Sequence, residues 1–197
     1  MRLFFPLAIL LLAGFAATSQ SLSYLDSLNA YQKNYMTTHE VVKGTERAFF
    51  RFFTVNENYR VLAKFEKLTD TDGFIMKTSG VKTPKYFRYG VLYFSIDKKQ
   101  LKLTIYQSQN LLADSVYKNY LFIPFTDLTS GEESYGGGRY LDFFIDDIKN
   151  NELTIDFNKA YNPYCAYATG YNCPIPPAEN DLPLPIKAGE MNFAKKH

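Results

Sequence analysis

Tyr86-Phe-Arg-Tyr-Gly-Val-Leu-Tyr-Phe-Ser-Ile-Asp-Lys-Lys-Gln-Leu-Lys-Leu-Thr-Ile-Tyr-Gln107 decides the fold class. Two runs, Tyr86 to Ile96 and Leu101 to Gln107, flank Asp97-Lys-Lys-Gln100. Leu101, Leu103 and Ile105 alternate with Lys102, Thr104 and Tyr106. A period of two, rich in aromatic and β-branched residues, is the pattern of a half-buried strand, and two such runs around a short polar link predict an antiparallel hairpin.

The same pattern recurs on both sides. Phe49-Phe-Arg-Phe-Phe53 reads as a dense strand. Tyr59, Val61, Ala63 and Phe65 alternate with Arg60, Leu62, Lys64 and Glu66, and Asn56-Glu-Asn58 between the runs predicts a hairpin turn. Thr69-Asp-Thr-Asp-Gly73 turns the chain into Phe74 to Thr78. Tyr120 to Phe125 is a further strand. Tyr140 to Ile145 and Glu152 to Phe157 predict another hairpin, around Asp146 to Asn151. Leu182 to Ala188 is a last short run. Seven or eight short strands without intervening long helices predict a mostly β chain, an antiparallel β-sandwich or open barrel. One helix precedes it, Ser21 to about Val42, with Leu25, Leu28, Gln32 and Tyr35 near one face and Gly44 as its stop.

The N-terminus differs from all of this. Arg2 precedes an apolar run, Leu3 to Ala16, and Ala17-Thr-Ser19 offers small residues for cleavage, the pattern of a secretory signal peptide. The run falls short of the roughly 20 residues that span a bilayer. The expected organisation is a signal peptide over 1–19, a helical segment over 20–42, one β domain over 43–190 and a tail over 191–197. No transmembrane segment is expected after cleavage, and the localisation expected is periplasmic or secreted. In that setting Cys165 and Cys173, the two cysteines of the chain, are expected to form a disulfide.

Several function classes are excluded. The 22 Lys and Arg nearly balance the 20 Asp and Glu, so no basic excess marks a nucleic-acid partner. With two histidines, His39 and His197, neither a nucleophile–histidine site nor a structural zinc site has its residues. P-loop, Rossmann and haem-attachment motifs are absent. No cofactor is expected. The oxygen-rich turn Asp127 to Glu133 lacks EF-hand spacing, and no metal is expected there.

Two segments carry the remaining chemistry. Gly136-Gly-Gly-Arg139 precedes a strand, and its backbone N–H groups with Arg139 could cradle an anion, or Arg139 could pair with Asp127, Asp142 or Asp156. Ile155 to Asn180 holds four tyrosines, four asparagines, four prolines and both cysteines. It is too aromatic to be disordered and too irregular to be a helix or strand, so a long ordered loop is expected, either a ligand site or a cover over a sheet edge.

Phe122 to Asp142, Asp156 to Tyr167, Cys173 to Asn180 and Ile186 to Glu190 resemble the signature blocks of the bacterial family called domain of unknown function 1684. The similarity runs from about Tyr31 to Glu190. It implies an exported or cytosolic protein of unassigned activity. It marks Asp127, Gly136, Gly137, Gly138, Arg139, Asp156, Asn158, Tyr161, Asn162, Pro163, Cys165, Cys173, Pro174, Asn180 and Glu190 as motif positions.

The functional expectation is a pocket for a small polar or anionic ligand between the glycine-rich turn and the Tyr/Asn/Pro loop. Its candidate ligand-binding residues are Arg139, Gly137, Gly138, Asn158, Tyr161, Asn162, Tyr167 and Asn180. Arg139, Asp156 and Asn158 are expected to converge there. One alternative is a carboxylate-dependent hydrolase of a cell-envelope or carbohydrate-like molecule, with Asp156 or Glu190 as acid or base. The other is an envelope protein whose loop is an interaction surface.

Overall fold

The computed structural model describes residues 14–195. The expected export segment lies outside them as far as Ala13. Helix α1 spans Gly14–Thr38, and the strands are β1 (Arg60–Lys67), β2 (Phe74–Ile75), β3 (Lys85–Ile96), β4 (Lys99–Ser108), β5 (Tyr120–Asp127), β6 (Arg139–Phe144), β7 (Glu152–Asp156) and β8 (Asp181–Leu182). Among the described residues, no helix is long and apolar enough to cross a membrane.

The strands form one curled, mostly antiparallel half-barrel in the order β6-β5-β4-β3-β1-β7, with β2 on β3 and β8 parallel to β5. The β3–β4 hairpin is its centre, in a register from Ile96↔Lys99 to Tyr86↔Ser108. Asp97 and Lys98 both take positive φ, which makes a two-residue turn whose twist suits the strands.

Two expected hairpins do not form. Phe49 to Phe53 is no strand. A 3-10 turn covers Gly44–Phe49, and Phe52 makes a single bridge to Glu190. Four aromatics in five residues suit an aromatic cluster as well as a strand. Here Phe50 and Phe52 pack with Tyr35 of the helix, and Phe50 with Tyr167 as well. Strands β6 and β7 do not pair with each other either. β6 pairs with β5 and β7 with β1, at opposite ends of the strand order. Their link, Ile145 to Asn151, holds a 3-10 turn and a tight reversal with positive φ at Asn150 and Asn151. Such a link is not extended, so the sheet curls until its two edges approach. The result is a seam rather than a hairpin.

The concave face is filled from the C-terminus. Leu182, Leu184, Ile186 and Ala188 are buried, and Asp181, Pro183, Pro185 and Lys187 point out. This two-residue period runs through a segment whose prolines cannot donate to a ladder. It therefore lies in the half-barrel as a strap, packed with Leu92, Leu103, Ile123, Leu141 and Ile155 in one core cluster.

The strap is seated by Asn180. Tyr106 faces Phe122 across β4 and β5. Two residues on in that register, Thr104 meets Pro124, which has no N–H to offer. The Asn180 carboxamide takes its place: it accepts from Thr104 N at 2.7 Å and donates to Thr104 O and Pro124 O at 2.9 and 2.8 Å.

Candidate functional site

Between the edges of β6 and β7 lies a cavity of about 510 Å³. Leu141, Asp142 and Phe143 of β6 form one wall and Leu153, Thr154 and Asp156 the other, with Asp147, Lys159 and Tyr161 from the connecting loops. Tyr31 of α1 closes it. Its hydroxyl donates to Lys159 O at 3.2 Å, and the Lys159 ammonium sits 5.6 Å from its ring centroid.

Asp142 is held on the cavity wall by two tyrosine hydroxyls. It accepts from Tyr120 Oη at 2.5 Å and from Tyr161 Oη at 2.8 Å. Tyr120 is the diagonal cross-strand neighbour on β5. Tyr161 is placed by its backbone, which exchanges two hydrogen bonds with Tyr140 and so extends the sheet past β6. Asp142 keeps contact with water through the cavity while protein crowds its other sides. That burial raises its carboxyl above the usual range, and the two hydroxyls pull it back down. Burial raises the Tyr161 hydroxyl well above the ordinary tyrosine value, helped by the Asp142 charge, and lifts Tyr31 to about 12. Both stay protonated donors at neutral pH.

Asp156 accepts from Tyr24 Oη at 3.0 Å and from Asn158 N and Nδ2 at 3.1 Å. Asp147 accepts from Phe144 N at 2.7 Å. Among the described residues, none of the three carboxylates has a salt-bridge partner, although five ion pairs exist elsewhere. Their donors are hydroxyls and amides. With Lys159 as the one cation on the wall, the cavity is negatively biased.

Of the expected site residues, Asp156 and Tyr161 line this cavity and the others do not. Arg139 does not converge with Asp156 and Asn158. It is fully buried and pairs with Asp127 at 2.8 Å. It also donates to Ala188 O, to Ile186 O at 2.8 Å and to Glu190 O at 3.2 Å. Both terminal nitrogens of its guanidinium are thus held by Asp127 and the strap, and the group lies outside the cavity. Gly137 and Gly138 form no cradle for one. Gly138 has φ 85°, and a Cβ there would stand 2.6 Å from both Phe125 O and Pro176 Cγ. Gly137 is covered by the Tyr135 ring. These glycines allow chain segments to pass closely.

Asn158 bridges Asn56 N and O at 3.0 and 2.9 Å and also reaches Tyr24. Asn162 donates to Met191 O at 2.8 Å, and Asn180 belongs to the wedge in the sheet. Glu190 and Tyr167 form a second buried polar cluster. The Glu190 carboxylate accepts from Tyr167 Oη at 2.7 Å, from Asn162 N at 2.9 Å and from Tyr35 Oη of the helix at 3.1 Å. Burial lifts the Glu190 carboxyl to about 7 against these donors. The imidazole of His39 packs edge-to-face on Tyr167 with centroids 4.7 Å apart, and the seam cavity does not extend to this cluster. Cys165 and Cys173 stand at a disulfide distance, S–S 2.00 Å.

The sequence reading missed Asp142, Asp147, Tyr31, Tyr120 and Lys159 as site residues. One signal was available for Asp142: a carboxylate inside the strand run Tyr140-Leu-Asp-Phe-Phe144, two residues from an aromatic on the same face. Tyr31 and Lys159 carried none, because contact between helix and seam is tertiary.

No curated protein matches the chain. A solution NMR structure of an uncharacterised protein from Haloarcula marismortui is similar to 88% of this chain over 96% of its own, at 30% identity and TM-score 0.65. The model of the family described as Protein of unknown function (DUF1684) matches residues 48–191. That span takes in the curled sheet, the strap and the clipped loop, and the chain belongs to the DUF1684 family.

Proposed function

We propose that this protein is an exported binding module that holds a small polar ligand, polyhydroxylated or cationic, in the seam cavity. The observation that carries the reading is Asp142, held by the hydroxyls of Tyr120 and Tyr161 on the wall of a ligand-sized hollow. A carboxylate with neutral donors behind it keeps acceptor capacity for a ligand O–H or N–H in front. Asp147 and Asp156 on the same walls bias the choice away from anions. Arg139, the group that would have favoured an anion, is paired and buried. Export is supported by the arginine-led apolar N-terminus and by the disulfide, a bond that persists in oxidising compartments.

A thermal-shift screen over sugars, amines and small anions tests the reading, since a ligand of the folded state raises its melting temperature by mass action. A polyol or an amine is expected to shift the wild type, and Asp142→Asn is expected to melt cooperatively without the shift. A shift by anions alone, or an equal shift in Asp142→Asn, overturns it. Turnover of the ligand by the wild type and not by the variant would extend binding to hydrolysis.

A further inference from the structure

We propose that one end of the half-barrel is a docking face for an anionic membrane surface. The face is built from three loops, 76–84, 109–119 and 170–175. The pairing Tyr86↔Ser108 sets the loop entering β3 beside the loop leaving β4. The disulfide-clipped segment seats against the first: Thr78 bridges Pro174, Lys82 N donates to Asn172 Oδ1 at 2.9 Å, and Cys173 N donates to Ser79 Oγ at 3.0 Å. Val81, Leu111 and Asn172 share one shallow groove, which makes the three loops a continuous surface.

Six of the twelve exposed large hydrophobic side chains among the described residues stand on these loops: Val81, Leu112, Val116, Tyr117, Tyr171 and Ile175. Val81 is 95% exposed. The rest of residues 24–195, whose side chains are described, share the other six, so the gathering is not the scatter expected of a soluble surface. Charge on the loops is one-sided. Lys77, Lys82 and Lys118 face one carboxylate, Asp114, whose Oδ1 is occupied by Val116 N and Tyr117 N at 2.8 and 3.1 Å.

Apolar side chains standing singly on loop tips, with lysines between them, fit a lipid interface better than a protein partner. A protein interface needs a continuous apolar centre. A bilayer takes separate shallow insertions, while lysine stems bury and their ammonium groups meet anionic headgroups. The disulfide holds the third loop in place, so insertion orders little chain.

The chain has no tryptophan, so a single one reports its own surroundings. Val81→Trp and, on strand β1 away from the loops, Leu62→Trp at a site 60% exposed are compared in the full chain. Vesicles of phosphatidylcholine with a minority of phosphatidylglycerol are added, with or without brominated acyl chains. The Val81→Trp emission is expected to shift to the blue and to be quenched by bromine, while Leu62→Trp stays unchanged. Adding Lys82→Ala is expected to weaken partitioning about five-fold, and salt to release the chain. If the chain sediments with vesicles while the Val81→Trp emission stays unchanged, another segment such as the apolar N-terminus is the anchor, and the proposal is overturned. Silence of both reporters with no sedimentation overturns it as well and leaves the face to a protein partner.

Discussion

At the scale of single residues, the polar side chains of this protein divide by what they face. The terminal guanidinium nitrogens of Arg139 and the amides of Asn158, Asn162 and Asn180 donate to backbone carbonyls or to neighbouring side chains. Their removal would leave buried acceptors unmatched, which is why such residues hold a fold. Asp142 and Asp156 instead turn toward a hollow. Glu190 is a third kind, a carboxyl buried among neutral donors and lifted from an ordinary 4.5 to about 7. Its sign is definite. Between pH 4.5 and 7 the unfolded chain releases this proton while the folded chain keeps it, so stability is fully present below that window and falls as pH rises through it. The loss amounts to on the order of 3 kcal/mol, complete above about 7. His39, lowered by burial, acts in the opposite sense. The comparison is therefore between Glu190→Gln and wild type. Urea denaturation from pH 5 to 8 is expected to show the wild type losing stability relative to the variant. Parallel profiles would show that Glu190 does not titrate in this range.

At the scale of elements, the central β3–β4 hairpin, β5 and the two-residue rhythm of β1 were legible because each is set by local alternation and turn chemistry. The pairing of β6 and β7 was not. Two strands joined by six or seven residues look like a hairpin in sequence, and nothing local says that each will find a different neighbour. Pro124 is the instructive case. A proline inside Phe122 to Phe125 argues against a central strand, yet β5 has partners on both sides. The missing donor is supplied from 56 residues away by Asn180. The long Tyr/Asn/Pro loop was rightly read as ordered, but its Asn158, Asn162 and Asn180 hold backbone groups rather than line the cavity. Asn180→Ala strips Thr104 N, Thr104 O and Pro124 O of their partners. It is expected to destabilise by about 3 kcal/mol, read as a lower urea midpoint. Asn180→Asp tests the cause, because a carboxylate can accept from Thr104 N but cannot donate to either carbonyl. If the aspartate variant were as stable as the wild type, the wedge would not depend on donation.

At the scale of the whole molecule, the C-terminal third closes what the sheet leaves open. The strap fills the concave face, residues 157–161 bound the seam, and the clipped loop covers the end where β2 stops. Helix α1 reaches the seam and the separate Glu190 cluster through tyrosine hydroxyls: Tyr24 to Asp156, Tyr31 to Lys159 O and Tyr35 to Glu190. The candidate cavity and the disulfide lie on different parts of this closure, since no residue of the clipped loop lines the seam. Stability and binding can therefore be separated. Joint replacement of Cys165 and Cys173 by serine opens a loop of eight-residue separation. The chain-entropy model gives a loss of about 2–3 kcal/mol. Amide exchange is expected to quicken from Tyr164 to Ile175 and around Ser79, whose hydroxyl receives Cys173 N. Exchange in β3 and β4 should change only as far as global stability falls, and a ligand that shifts the wild type should still shift the serine variant. If binding were lost with the disulfide while the sheet stayed protected, the clipped loop would belong to the site, and the seam would be only part of it.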